Sequence, residues 1–509
     1  MVMKYLIGID LGTSGTRSVL FNENGVAVCS STAEYPLYQL NNGWAEQNPA
    51  DWWNACVTTV QNVIKESGVN PGDISGVGFS GQMHGLVMVD ENGEVLRNSI
   101  IWCDGRTDKE CADITNRVGA PRLIEITANP ALTGFTAGKI LWVRNNEQEI
   151  YKRCHRILLP KDYLRYKLIG EYGADVSDAA GMNLLDVAGR SWSDEVLSKL
   201  EIDRTLLPDV RESCEIAGRI SADAAKLTGL EEGTNVVFGA GDNAAAAIGT
   251  GVVEKGKAFI TIGTSGVIFA HADGVAVDPG GRVHSFCSAV PGAWTVMSCT
   301  LAAGMSLQWL RNNFFQSEMQ VAAGLGKEPY DIMTEQAARV PIGANKLIFL
   351  PYLMGERSPI LDASSRGVFF GLSAMHTKYD MLRAVMEGVT FSQRQCLDVF
   401  KNMGIEFSEL YATGGGGASQ FWRQMIADIL EIPVITIQNR EGPALGAAIL
   451  AGVGAGLYPS VPEACKRIIK TNPPQQPVTE SSKKYKPYYE LYCKLYPAMK
   501  DEFKTLSML

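Results

Sequence analysis

The chain has 509 residues, 46% hydrophobic and 20% charged, with 52 Gly and 22 Pro. That length predicts two or three units with a core large enough to need no disulfide or metal staple. Its 46 basic and 55 acidic residues sum to −9, which argues against a nucleic-acid partner, and the ordinary hydrophobic content excludes disorder.

The most apolar stretch, Ala444–Tyr458, is mostly Ala and Gly and falls short of the roughly 18–20 residues that a membrane span needs. No secretory pattern follows the opening MVMKYLIGIDLG. The 11 cysteines are scattered with no Cys-x-x-Cys pair. They are expected to be reduced thiols of a cytoplasmic enzyme, with no structural zinc.

In chain order, Tyr5–Asp10 predicts a buried strand, Gly12-Thr13-Ser14-Gly15 a turn, and Arg17–Phe21 a second strand. Asn24-Gly25 is a hairpin signal that returns the chain through Val26–Cys29. Asn48-Pro49-Ala50-Asp51 reads as an N-cap, a first-position proline and a first-turn acid, opening a helix through Ile64. Ile74–Phe79 predicts another buried strand. Leu86–Asp90, Glu91-Asn92-Gly93 and Val95 onward predict a further hairpin. Strands alternating with helices predict an α/β fold.

The opening grammar recurs mid-chain. Ile9-Asp10-Leu11-Gly12-Thr13-Ser14-Gly15 matches Ile260-Thr261-Ile262-Gly263-Thr264-Ser265-Gly266 in character, with Thr261 in place of Asp10. Each turn follows an apolar strand, which predicts two homologous domains with a cleft between them. The boundary is expected between 243 and 244, and a helical tail from about 460 carries Tyr485, Tyr488 and Tyr489.

A strand followed by a Gly/Thr/Ser turn exposes N–H groups and hydroxyls that can wrap phosphate oxygens. Two such turns facing each other would grip a triphosphate. Ordinary hairpin turns are the bland reading. No Walker motif competes, because Thr133 stands where a Gly is required before Thr136-Ala137-Gly138-Lys139. Asp10, at a strand end beside the first turn, is a natural Mg²⁺ anchor. Asp242, in Phe238-Gly239-Ala240-Gly241-Asp242-Asn243, is by default an Asx turn, but at a domain junction it could take a hydroxyl proton. Gly81-Gln82-Met83-His84-Gly85 holds one of five histidines, and Gly414–Gly417 has the strand, Gly turn and helix form that suits nucleotides.

Together these segments resemble the FGGY carbohydrate kinases, from the Asp10 strand through Glu441-Gly442-Pro443-Ala444-Leu445-Gly446. The likeness to the xylulose-kinase branch rests on Gly81–Gly85, Trp102-Cys103-Asp104-Gly105-Arg106, Leu159–Tyr163 and Ser177–Gly181. Glycerol kinases carry an Arg-Glu pair at the Met83-His84 position.

The resemblance implies an α/β fold of two ribonuclease-H-like, actin-type ATPase domains with ATP in the interdomain cleft. The first domain, residues 1–243, would bind sugar; the second, residues 244–509, would bind nucleotide. It implies Asp242 as general base and Asp10 as organiser of Mg²⁺. Thr13, Ser14 and Arg17 match the first phosphate loop and Thr264 the second. Gly304, Gln308, Gly415 and Gly416 match nucleotide contacts; Met83, His84, Asn243, Trp102 and Asp104 match sugar contacts. Where some relatives carry an Asn near the adenine, this chain has Gln420-Phe421.

The expected reaction is Mg-ATP-dependent phosphorylation of D-xylulose at its 5-hydroxyl in xylose metabolism. A small-molecule sugar is the expected partner, with neither nucleic acid nor membrane, and the family allows a homodimer. The alternatives are a kinase of the same fold acting on L-ribulose, gluconate or another polyol, an actin- or Hsp70-like ATPase, and a scaffold with a degenerate site. An Asp242 near its reference pKa of about 3.9 would stand ionised at neutral pH.

Overall fold

The computed structural model describes residues 3–439 and 441–509. Its first sheet is built from β1 (Tyr5–Leu11), β2 (Gly15–Asn22), β3 (Ala27–Glu34), β4 (Ile74–Gly81), β5 (Ile216–Arg219), β6 (Asn235–Val237) and β7 (Ala240–Gly241). The order is β5-β6-β4-β1-β2-β3, with β7 also paired to β4. The second sheet comprises β8 (Gly256–Ile262), β9 (Gly266–Ala272), β10 (His284–Cys287), β11 (Trp294–Thr300), β12 (Phe407–Thr413) and β13 (Val434–Ile435), in the order β10-β11-β9-β8-β12-β13.

The two sheets repeat one plan. β1 runs antiparallel to β2 and parallel to β4, as β8 runs antiparallel to β9 and parallel to β12. The similar heptapeptides at 9–15 and 260–266 therefore occupy the same place in two copies of one α/β unit, each turn joining a central strand to its antiparallel neighbour.

Helix α1 (Pro49–Ser67) starts as its sequence dictates, with the Asn48 side chain accepting from the Ala50 N–H. Trp52, Cys56 and Val60 on α1 pack with Ile7, Ile9 and Phe79 on one face of the first sheet. The opposite face is covered from far along the chain, by α4 (Gly442–Gly454). A Cβ at Gly8 would stand 1.9 Å from the Ala444 carbonyl oxygen, and one at Gly78 2.0 Å from that of Ala447. Only glycine permits backbone-to-backbone approach of this kind.

Helix α2 (Asp242–Thr250) lies on α4 with the same intimacy: a Cβ at Gly446 would stand 1.9 Å from the Ala245 carbonyl oxygen, and one at Gly249 1.8 Å from that of Gly442. Ala247 in turn packs with Phe259 and Phe269 of the second sheet. The layer order is thus first sheet, α4, α2, second sheet. The expected boundary between 243 and 244 falls within the first turn of α2.

The hairpin expected at 86–95 is not the main pairing of that segment. Val87–Val89 forms its ladder with Arg156–Leu158 on one edge, while on the other a Val89–Val95 bridge and the Leu96 N–H donating to the Met88 carbonyl keep a short hairpin. The Asp90-Glu91-Asn92-Gly93 turn exists, closed by Asp90 side-chain and backbone bonds. The C-terminal helix Thr479–Leu506 buries Tyr485 and Tyr492 in the core of the second domain. Among the described residues no helix is long and apolar enough to cross a membrane.

Candidate active site

The chemistry-bearing residues lie where central strands of the two sheets end, one group on each sheet. Asp10 is the penultimate residue of β1, paired across the sheet with Ser80 on one side and Arg17 on the other. Ser80 Oγ donates to Asp10 Oδ1 at 2.7 Å. Ala240 of β7 is the far neighbour of Ser80, so the chain that reaches Asp242 leaves the same sheet edge. Asp242 then opens α2.

Neither carboxylate sits at ease. Loss of water around Asp10 pushes its pKa up, against the Ser80 hydrogen bond and the Arg17 charge. Asp242 is pushed up to about 7, first by burial and next by the charge of Asp10, with Asn243 hydrogen bonds pulling the other way. The expectation of an ordinary carboxylate near 3.9 is therefore corrected: the site is drier and more negative than the sequence suggests. If Asp242 acts as a base, kcat/KM should fall as pH drops through about 7, because protonation removes the acceptor. A profile flat between pH 5.5 and 8 would remove that role.

This environment suits a divalent cation. Among the described residues no cluster of three or more His, Cys, Asp or Glu side chains is placed to hold a metal. A site with one or two carboxylates fits Mg²⁺, which keeps waters and takes substrate phosphate oxygens for the remaining positions. Asp10 would hold it, with Asp242 nearby.

The first turn closes with the Gly12 N–H donating to the Gly15 carbonyl at 3.0 Å, and the second with the Gly263 N–H donating to Ser265 at 3.0 Å. Ser14 and Thr264 are exposed at the turn tips. Thr13 Oγ1 accepts from Trp102 Nε1 at 2.9 Å, which brings an indole from the neighbouring loop over the first turn. Arg17 does not point freely into that turn as a phosphate ligand would. Its guanidinium makes a two-pronged pair with Glu441 at 2.8 and 2.7 Å, and also reaches Ser30 and Thr32.

Asp104, expected as a sugar contact, is fully committed. It accepts from Arg106 through both oxygens and from the Ala45 N–H at 2.6 Å. Its structure-level task is to brace the loop that carries Trp102, not to face a ligand.

Met83 and His84 form the floor beside Asp242. A Cβ on Gly241 would stand 2.9 Å from Met83 Cγ, and Asn243 Nδ2 lies 4.0 Å from Met83 Sδ. His84 holds a left-handed backbone, φ 69°, and its Nδ1 meets the Gly181 carbonyl at 2.8 Å. With Nδ1 as donor, Nε2 is left an acceptor. Burial and the Lys139 charge hold the ring's pKa well below its usual value, so the imidazole is neutral.

Lys139, set aside as a phosphate lysine, donates instead to the His84 and Gly134 carbonyls, each at 2.7 Å. The Gly181 contact also explains the Ser177–Gly181 motif: a Cβ at Gly181 would collide with the His84 ring at 2.5 Å.

On the second domain, Thr264, Gly304, Gln308, Gly415 and Gly416 line one cavity of about 380 Å³, with Leu307 and Trp422 as apolar walls. Helix α3 (Gly304–Phe314) meets the second turn through Gly304 N–H to Gly263 O at 2.7 Å and Met305 N–H to Thr264 O at 3.1 Å. A Cβ on Gly304 would stand 2.2 Å from that Gly263 oxygen, so only glycine allows the seam. Gly416 is similarly pressed against Ile262.

Sequence reasoning missed Ser80 and Glu441, whose partners are distant in the chain. It also missed Lys161, buried between Asp162 and Asp175 at 2.6 Å each, with Asp178 at 3.6 Å. The Lys161-Asp162 dipeptide beside a proline was the available signal.

The FGGY family of carbohydrate kinases matches this chain through its N-terminal domain over residues 5–249 and its C-terminal domain over residues 258–455. A xylulose kinase of Bacillus subtilis is 39% identical over 499 residues, covering 98% of each chain. A gluconokinase of the same organism is 32% identical, covering 99% of this chain and 98% of its own. A ligand-bound xylulose kinase from Lactobacillus acidophilus superposes with a TM-score of 0.91 at 29% identity, covering 99% of this chain and 100% of that one.

Proposed function

This chain belongs to the FGGY family of carbohydrate kinases, and from that premise we propose that it transfers the γ-phosphoryl group of ATP to the 5-hydroxyl of D-xylulose. The observation that carries the proposal is the placement of Asp242 between a Met83-His84 floor and the Asp10 turn. The substrate choice is supported by the xylulose kinases among its relatives and by the apolar-plus-imidazole pair in the acceptor floor.

Phosphoryl transfer demands alignment and charge neutralisation more than covalent chemistry. Thr13 and Ser14 on one turn and Thr264 on the other would bind the phosphates from opposite sides. Gly304, Gln308, Gly415 and Gly416 would take the nucleoside in the cavity between α3 and the glycine turn. Asp242 would accept the proton of the attacking hydroxyl; Met83, His84, Asn243 and Trp102 would orient the sugar. Asp10 would hold Mg²⁺, which when bound offsets the negative charge of the donor phosphates.

The same reading assigns sugar binding to residues 1–243 and nucleotide binding to residues 244–509, with a cytoplasmic role in xylose metabolism. The deciding experiment is ADP release from Mg-ATP against D-xylulose, L-ribulose, D-ribulose, L-xylulose, glycerol, gluconate and no sugar, with an EDTA control. A preference for D-xylulose that EDTA abolishes is expected. Preference for gluconate would keep the mechanism and discard the substrate; sugar-independent hydrolysis alone would discard the kinase.

A further inference from the structure

The acceptor floor has a second-domain wall that the site described so far does not use. His84 and Phe135 meet His284 and Phe286 of β10 in an aromatic box: His84 to Phe135 4.6 Å, Phe135 to His284 5.7 Å and His84 to Phe286 6.3 Å between ring centres. The box is pinned across the domains by Asn129, whose Oδ1 meets His284 Nδ1 at 2.9 Å and whose Nδ2 donates to the Ser285 carbonyl at 2.8 Å. His284 is buried, and its Nε2 has no hydrogen-bond partner among the described residues.

Arg357 reaches the same place. Its backbone is clamped to the second domain, since Glu356 Oε1 accepts from both the Arg357 and Leu301 N–H groups, at 2.8 and 2.9 Å. Its side chain crosses to the first domain: Nη2 lies 3.7 Å from where a Cβ on Gly134 would stand, a point only 2.9 Å from the Trp102 carbonyl oxygen. Among the described residues this guanidinium makes neither an ion pair nor a side-chain hydrogen bond, although five N–H donors ordinarily find acceptors.

The titratable groups facing it are the His84 and His284 imidazoles, the Cys299 thiol and its neighbour Glu356, whose carboxyl is pushed up to about 8 by burial. Burial and then the Lys139 charge hold His84 below its usual pKa, with Arg357 a smaller contribution, whereas burial and the Arg357 charge hold His284 down at about 3; Lys139 Nζ is spent on two carbonyls. Arg357 is thus an unpaired fixed cation beside Trp102, His84 and the loop after Asn129.

We infer that Arg357 is a specificity-determining residue that the second domain supplies to the acceptor pocket, its guanidinium donating hydrogen bonds to oxygens of the sugar lying on Met83 and His84. The inference rests on the sugar-kinase reading above. It explains why a fork of donors is left without protein acceptors at a domain seam: the acceptors come with the substrate.

The test compares R357M and R357K with the wild type by steady-state kinetics and by sugar titration of intrinsic tryptophan fluorescence without nucleotide. R357M should raise KM and Kd for D-xylulose roughly 10- to 150-fold, as loss of a charge-assisted hydrogen bond does, with KM for ATP within about twofold. R357K should fall between the two. Sugar KM and Kd unchanged in R357M, or KM for ATP rising in step, would overturn the assignment. If R357M lacks the wild-type circular dichroism spectrum, R357K alone decides, and wild-type sugar affinity in it overturns the fork. A wild type that turns over no sugar overturns the kinase reading and this inference together; an active wild type beside an unaltered R357M overturns the inference alone.

Discussion

Asp242→Asn should lower kcat by about 10²–10⁴ while sugar and ATP still bind. The substitution keeps the size and the hydrogen-bonding reach of the side chain and removes only its ability to take a proton, the step that general-base catalysis values at that range. Stability should move the other way. The folded-state pKa of Asp242 is raised to about 7 against an ordinary 3.8, so its ionisation opposes folding: the penalty is absent below the unfolded value and complete above about 7. The neutral amide escapes that penalty and relieves the repulsion with Asp10. At pH 8 the variant should therefore be nearly inactive and at least as resistant to urea as the wild type. Rates within a fewfold of wild type would strip Asp242 of its role, whereas inactivity with a large loss of stability would mean a misfolded cleft.

Gly446→Ala should cost about 1–3 kcal/mol, the scale of an overpacked core. A Cβ there would stand 1.9 Å from the Ala245 carbonyl oxygen, and no rotamer change can relieve a clash of Cβ against backbone. α4 cannot retreat from α2 either, because its other side is pressed on Gly8 and Gly78. Urea denaturation monitored by circular dichroism measures the loss; a change below about 0.5 kcal/mol would show that the helices do not meet as described. Ala itself is a better helix former than Gly by about 1 kcal/mol, so any net destabilisation understates the clash.

Much of this architecture was legible in the sequence because it is written locally. The repeated strand and turn heptapeptides announced the duplication, Asn48-Pro49 announced α1, and the order of Gly-rich turns carried the family likeness. What could not be read was what depends on distant partners. Val87–Val89 gained Arg156–Leu158 on its second edge, and Arg17 and Asp104 were drawn into ion pairs with Glu441 and Arg106. A charged residue in a motif shows what it could do; only the folded chain shows whether another charge has already claimed it. The raised pKa of Asp242 was hidden for the same reason, since it depends on Asp10 lying across the sheet edge and on the loss of water there.

The position of α4 has a consequence for how the protein is made. Leu6, Val19, Phe21 and Val237 of the first sheet are covered by Ala444, Leu445, Ala448 and Ile449, residues translated some two hundred codons after the sheet is complete. A nascent chain of about 250 residues therefore lacks the helix whose Ala444 and Ala447 carbonyls close on Gly8 and Gly78. The first half is a complete coding unit but not an independently finished one. Its synthesis ends in a waiting period, closed only when α4 leaves the exit tunnel and threads its small side chains between the two sheets.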